Sequence, residues 1–220
     1  MKHIPSDKYN VAWFTLAECV SRGEKVRAMS LHRLLAHSIE DQAFISQLKG
    51  DLLRAFQDKE SIELYQEAAE LYEKDNRLLE AVAVYEHLVT LEPKKTRYLK
   101  SLIKLYKLLS ITSKVATFLE RLFDSSTEQN DCDGACDALE QLDNIKDAAE
   151  HVDLHQRVIR LLLKQKEPSK ELIVKHGKKV IDVLATSDNE TSLQKFLTTI
   201  DAMNGDCYLE LCEYLENSTK

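Results

Sequence analysis

Residues that break helices are what this sequence has least of. Its 220 residues include 5 glycines and 3 prolines, well under the usual shares of about 7% and 5%. An antiparallel sheet protein needs a turn residue every dozen positions or so, and that supply is missing, which argues against a sandwich or barrel. Long apolar runs are missing too: no stretch approaches the roughly 18 to 20 residues that span a bilayer, so no membrane span is expected. The apolar patch around Val11–Val20 is broken by Thr15 and Glu18 and preceded by Asp7, a poor secretory signal. The 5 cysteines are odd in number and scattered, with no Cys-x-x-Cys pair, so a reduced, cytoplasmic protein is expected rather than a disulfide framework. There is no Gly-rich phosphate loop and no His-Glu-x-x-His. A net charge of -7 favours solubility and argues against a general nucleic-acid binder.

What the chain does have is a 3.6-residue apolar period almost throughout, with 44% hydrophobic and 30% charged residues. One stripe is Leu193, Phe196, Leu197, Ile200 and Met203; another is Tyr208, Leu211, Cys212 and Leu215; a third is Ala148, Val152, Ile159, Leu162 and Leu163. Twelve helices are predicted, over 8–21, 24–38, 41–56, 60–74, 77–91, 95–108, 112–123, 132–143, 146–165, 168–186, 189–203 and 206–217. Gly23 separates the first two, and Gly205 sits where a left-handed C-terminal cap would fall. Pro93 follows a helix it cannot continue, and Pro168 can open one. Ser187 or Asp188, with Glu190 behind, can cap the next. Gly177 interrupts a periodic segment, which suggests a kink or a close helix contact.

Charge comes in alternating blocks. Residues 1–93 are net -5, 94–123 net +7, 124–153 net -9, 154–179 net +6 and 180–220 net -6. The stretch Asp124–Asp137 is acidic, polar and poor in large apolar residues, and is the best candidate for a loop or subdomain boundary.

Residues 62–95 carry a mixture of small and aromatic side chains at fixed offsets: Tyr65, Ala68, Ala69, Tyr72, Ala81, Tyr85 and a closing Pro93. The next 34 residues repeat the pattern in degenerate form, with Leu99, Leu102, Ile103, Tyr106, Val115, Leu119 and Leu122 in register. Upstream, Leu31, Leu34 and Leu35 suit their slots while Gln47, Asp51 and Arg54 do not; a register reset around Leu48, Gly50 and Leu53 improves the fit. Short side chains at these places let paired helices approach, and the tyrosines fill the adjacent gaps. This pattern resembles the tetratricopeptide repeat, departing from it where Leu88 replaces the family's alanine. The resemblance implies an all-α, tetratricopeptide-like α-solenoid of about twelve helices in antiparallel hairpins. Residues 1–127 form the repeat region; residues 128–220 form a divergent helical part, expected to be continuous with it.

In that family the first helix of each pair lines an inner, concave surface that holds a peptide or partner helix. The slots that would face it are Glu63, Gln66, Glu70 and Glu73 in one repeat, and Arg97, Lys100, Lys104 and Lys107 in the next. Two readings stand side by side. One is internal pairing of Glu63 with Arg97, Glu70 with Lys104 and Glu73 with Lys107, each contributing about 0 to 1 kcal/mol. The other is a bipolar groove whose basic strip grips an acidic segment. Lys100 and Lys104 resemble half of the family's carboxylate clamp, but Glu70 stands where the clamp needs Asn. The expected function is therefore a non-catalytic scaffold or adaptor for a protein or peptide partner, without a cofactor. A chaperone for secreted or assembling proteins is the alternative: an apolar inner surface would favour it, a charged one the adaptor.

Other constellations are weaker. Cys132, Cys136, His151 and His155 form two pairs spaced four apart, each able to present two ligands from one helix face, and are the only case for a metal-binding hydrolase. Asp131–Gly134 begins like a calcium loop but lacks the later acidic ligands. His32, His37, His87 and His176 read as groove or interface histidines, without a nucleophile in recognisable relation to them. Trp13 and Phe14 are assigned to the core face of the first helix, and the basic side chains of 154–179 to a solvated helix face.

Overall fold

In the computed structural model, residues 6–146, 148–186 and 190–218 are described, and among them every regular element is helical. The first six helices are α1 (Ser6–Ser21), α2 (Lys25–Ala36), α3 (Gln42–Ala55), α4 (Ser61–Lys74), α5 (Leu78–Leu91) and α6 (Thr96–Leu108). They belong to one compact unit that ends at Ser110. A second unit begins at Ile111 and contains α7 (Thr112–Glu128), α8 (Cys132–Asp143), a 3-10 turn over Ala148–His151, α9 (Val152–Leu163), α10 (Lys170–Thr186), α11 (Glu190–Met203) and α12 (Gly205–Ser218). Within each unit every helix packs on the next in sequence, the local packing that defines a helical repeat. The division into compact units falls after Ser110, within the region 1–127 that the repeat pattern marks out.

Turns between helices are short, and most are closed without glycine. Gln57, Asn76, Ser110 and Asn130 have φ of 56–57°, joined by Gly23 at 74°. Each ends a helix in the left-handed region, which lets the backbone double back. At the end of α4, Asn76 N–H donates to the Glu73 carbonyl at 3.0 Å and Arg77 N–H to the Tyr72 carbonyl at 2.8 Å. The same pair of bonds recurs after α1, α3 and α7, through Gly23, Gln57 and Asn130. This is the Schellman arrangement, which satisfies carbonyls that a helix end leaves unpaired. The left-handed conformation is uncommon for side chains other than Gly and Asn; Gln57 adopts it with both closing bonds, and Ser110 with its N–H donated to the Lys107 carbonyl at 3.0 Å.

Several expectations are corrected by these ends. The acidic stretch Asp124–Asp137 is not a loop: α7 runs to Glu128, and only Gln129–Asp131 lie outside helices. Phe123 and Ser126, both fully buried, anchor the last turns of α7. Asp131 then starts α8 at once by accepting the Gly134 N–H at 3.0 Å. Gly205 is no left-handed cap but the first residue of α12, with Asn204 capping it through the Cys207 N–H at 3.1 Å. Pro168 precedes α10 rather than opening it, since the helix begins at Lys170. Phe14 is 78% exposed: the buried stripe of α1 passes through Leu16 and Cys19, with Trp13 packed beside it, and an adjacent residue points about 100° away. Ser187 and Asp188, expected to cap α11, lie outside the described residues.

The core is built as the small-residue pattern requires. Ala68, Ala69 and Ala81 are fully buried, and Tyr65, Tyr72 and Tyr85 are at most 4% exposed. Leu88, in place of the family's alanine, is fully buried as well. All seven in-register residues from Leu99 to Leu122 are buried. Gly50 is a close approach of α3 to α4, where a Cβ would stand 3.1 Å from the Tyr65 ring. Gly177 is the same device between α10 and α12: a Cβ would meet both methyl groups of the buried Leu211 at 2.8 Å.

That contact sets a test. Gly177→Val should destabilise the second unit by about 2–3 kcal/mol through overpacking, read as a lowered chemical-denaturation midpoint. Gly205→Ala, where a Cβ meets nothing within 4 Å, should leave stability unchanged or slightly raised. Equal losses from both would show that α10 and α12 are not in contact there.

Candidate partner-binding surface

Sequence spacing decides what α4 and α6 expose. On α4 the buried face is Leu64, Tyr65, Ala68, Ala69 and Tyr72; on α6 it is Tyr98, Leu99, Leu102, Ile103, Leu105 and Tyr106. Arg97, Lys100, Lys104 and Lys107 are spaced by three, four and three, so they fall within about 80° of arc on α6, and all four are exposed. Glu63, Gln66, Glu70 and Glu73 share that spacing on α4; Glu63 and Glu70 are exposed, Gln66 and Glu73 half-buried. The two rows are therefore accessible side chains in matching helical phase.

Between the rows, Lys104 Nζ donates to Glu73 Oε2 at 2.8 Å. This pairing is one turn away from the expected Glu70–Lys104 and Glu73–Lys107 partners. Glu70 instead accepts from Gln66 Nε2 at 2.9 Å within α4. Arg97 donates to the Tyr98 hydroxyl at 2.7 Å and lays its guanidinium over that ring, 4.7 Å from the centroid, rather than pairing with Glu63. The Tyr98 hydroxyl in turn donates to Glu92 Oε2 at 3.1 Å. Burial pushes the Tyr85 phenol up; Glu73 adds to the shift and Ser101 opposes it.

Beneath this surface lies a set of polar partners that the repeat pattern hid. The Tyr65 hydroxyl donates to Asp51 Oδ1 at 2.8 Å and the Tyr72 hydroxyl to Gln47 Oε1 at 2.9 Å. Gln47 and Asp51 are two of the residues that break the upstream register. Read with the tyrosines they are acceptors on α3 for the phenols of α4, and that complementarity was the available signal. Arg77 binds Asp41 at 2.5 Å and Glu80 at 3.0 Å and covers the Tyr72 ring at 4.4 Å. No pattern in the sequence points to that cluster. His87 stands edge-on to Tyr65 with centroids 4.8 Å apart.

The Cys/His set does not come together. Cys132 and Cys136 occupy the first turns of α8, where burial pushes the Cys136 thiol up to about 11. His151 and His155 gather instead on Asp143 at the far end of that helix: His151 Nδ1 lies 3.2 Å from Oδ1 and His155 Nε2 3.3 Å from Oδ2. Cys136 and Asp143 are separated by about 10 Å of helix rise. Among the described residues no group of three or more His, Cys, Asp or Glu side chains is placed to hold a metal ion. The basic segment 154–179 is partly turned inward as well. Arg157 binds Asp124 at 2.8 Å, Lys175 binds Glu140 and Lys179 binds Asp143. Of the histidines expected at interfaces, His32 is buried against the Ile45 carbonyl at 3.2 Å, and His176 is fully buried.

Comparison with known proteins gives structural likeness only. No family model matches the chain, and no curated protein does. Among solved structures it is similar to the nearly identical TPR-like repeats described as a kinesin light chain of Podosopora anserina. That likeness is 13% identical at a TM-score of 0.43, over 90% of this chain and 94% of that one. It is also similar to BtubC from P. vanneervenii, at 12% identity and TM-score 0.36 over 89% and 79%. YrrB, described as a TPR protein with an unusual peptide-binding site, matches at 12% and 0.28 over 71% and 93%. The first and third of these are described as TPR-like repeats and a TPR protein. The assignment of this chain as an all-α protein of tetratricopeptide-like hairpins rests on its own helices and their buried small and aromatic residues. Among the described residues no helix is long and apolar enough to cross a membrane.

The ion pair between the rows allows a direct measurement. Lys104 is 66% exposed, so a double-mutant cycle over Glu73→Gln and Lys104→Gln should give a coupling below about 1 kcal/mol. A coupling of several kcal/mol would mean that the rows exist for stability.

Proposed function

We propose that the chain is a protein-binding scaffold whose α6 strip of Arg97, Lys100, Lys104 and Lys107 receives an acidic segment of a partner protein, with Glu63, Gln66, Glu70 and Glu73 forming the opposing rim. The observation that carries this reading is a row of four exposed cations in one helical phase; the Lys104–Glu73 pair to the acidic row is of the exposed kind that contributes little. Such a surface attracts an oppositely charged helix at long range and fixes its register on contact. An acidic helix with carboxylates spaced by three and four has the matching period. Charged rather than apolar slots on α4 and α6 support an adaptor over a chaperone for unfolded chains.

Charge reversal of Lys100 and Lys104 to Glu should weaken binding of a fluorescein-labelled Glu-rich helical peptide by at least tenfold, with the circular-dichroism spectrum and melting midpoint unchanged. Affinity for the unsubstituted protein should fall steeply between about 50 and 300 mM salt. Binding that survives the double reversal at low salt would refute the assignment of the strip as the site.

A further inference from the structure

We infer that a buried imidazole cluster in the second unit makes the α8–α9–α10 packing an acid-sensitive latch, closed at neutral pH and opened by proton uptake at His155 and His176. The cluster is unusual in its burial. His151, His155 and His176 are 3%, 1% and 0% exposed; the Nε2 atoms of His151 and His176 are buried without a hydrogen-bond partner, and that of His155 has the Asp143 carboxylate beside it at 3.3 Å. His155 on α9 and His176 on α10 meet through their Nδ1 atoms at 2.9 Å. Two imidazoles sharing that contact cannot both carry a proton on Nδ1, so one donates and the other accepts.

The surroundings choose which. His155 Nε2 faces Asp143 Oδ2 at 3.3 Å, and a lone pair there would oppose the carboxylate. His155 therefore carries its proton on Nε2 and accepts at Nδ1 from the Nδ1–H of His176. His176 is left with an unprotonated Nε2 in the interior. His151 Nδ1–H donates to Asp143 Oδ1 at 3.2 Å, and Lys179 donates to Oδ2 of the same carboxylate.

Charges facing the cluster decide what a proton does there. From α8 come Glu140 and Asp143, from α9 and the turn before it His155 and His151, and from α10 Lys175, His176 and Lys179. Both carboxylates are already engaged, Glu140 by Lys175 and Asp143 by Lys179. Helix α7, packed on α8, commits Glu120 to Lys146 and Asp124 to Arg157. Helix α12, packed on α10, brings Leu211 against Gly177 and Tyr214 to Asp182 and Lys178. A proton added to His176 or His155 thus creates a buried cation beside two ammonium groups, with both carboxylates already taken. At His155 it also removes the Nδ1 lone pair through which the two rings bond, and at His176 it falls on the Nε2 atom that has no acceptor beside it.

The same environment shifts the titrations. Burial, then His155 and the two lysines, pushes His176 down to about 4. Burial lowers His155 also, with Asp143 opposing and Lys179 reinforcing. At Asp143 burial acts upward, but Lys179 and His155 outweigh it and hold the carboxylate below its ordinary range. The direction of linkage follows. A histidine whose folded-state value is depressed binds fewer protons folded than unfolded, so its contribution is complete above about pH 6.5 and is lost progressively as pH falls toward about 4. One proton taken up on opening raises the opening constant about tenfold per pH unit; two raise it about a hundredfold.

Amide hydrogen exchange on the full chain between pH 7.5 and 4.5, corrected for intrinsic exchange rates, reads that constant helix by helix. Expected is a loss of protection in α8, α9 and α10 of at least tenfold per pH unit below pH 6.5, with α4 and α5 changing less. Histidine side-chain NMR on the same protein should show two imidazoles staying neutral below pH 6 until the helices open. The variant His155→Leu/His176→Leu should lose the steep dependence between pH 6.5 and 5. If it does not fold, the NMR titration of the unsubstituted protein decides the matter alone. Imidazoles that all titrate near 6.5 in the folded protein, or protection of α8–α10 that is flat across this range, would overturn the inference.

Discussion

How near two helix axes can approach governs this molecule. Apolar burial supplies the driving force, but it acts only where opposing surfaces fit, and the fit is set by a few positions without bulk. Ala68, Ala69 and Ala81 leave no exposed surface, and Gly50 and Gly177 let a tyrosine and a leucine rest almost on a neighbouring backbone. Larger neighbours occupy the space so released, Tyr65, Tyr72 and Tyr85 in the first unit and Leu211 in the second. The alternation of short and long side chains, rather than hydrophobicity alone, aligns each helix with the next.

Charge is arranged on the same plan. The three internal blocks, 94–123, 124–153 and 154–179, are each about a hairpin long, so folding can set opposite signs against each other. The acidic block 124–153 meets the basic block that follows through Arg157 with Asp124, Lys175 with Glu140 and Lys179 with Asp143. In the first unit Lys104 of the basic block meets Glu73 of the acidic one. The cations of α6 are exposed.

Legibility from sequence follows from how local each feature is. The helices were readable because a 3.6-residue period is a property of neighbours: predicted ranges such as 60–74 and 77–91 fall within a residue of Ser61–Lys74 and Leu78–Leu91. The end of α7 was not, because Ser125, Ser126 and Thr127 look like loop residues and become helical through the burial of Phe123 and Ser126. Charged rows on α4 and α6 could be assigned to exposed faces from phase alone. Their bonding could not, since the offset between adjacent helices is set by packing, and it moved Lys104 from Glu70 to Glu73. Histidines spaced four apart suggested a ligand pair with the cysteines. The length of α8 instead carries Asp143 to them and keeps Cys132 and Cys136 at its other end.

The phenol hydroxyls have a mechanical consequence. Tyr65 and Tyr72 tie α4 to α3 through Asp51 and Gln47, and Tyr106 ties α6 to α5 through Glu86 at 2.8 Å. Each tie runs crosswise from a rigid ring to a side-chain oxygen on the neighbouring helix, so a helix that slides lengthwise strains it more than one that tilts about it. Under load the first unit should therefore flex like leaves bound at a spine, yielding in splay and resisting shear.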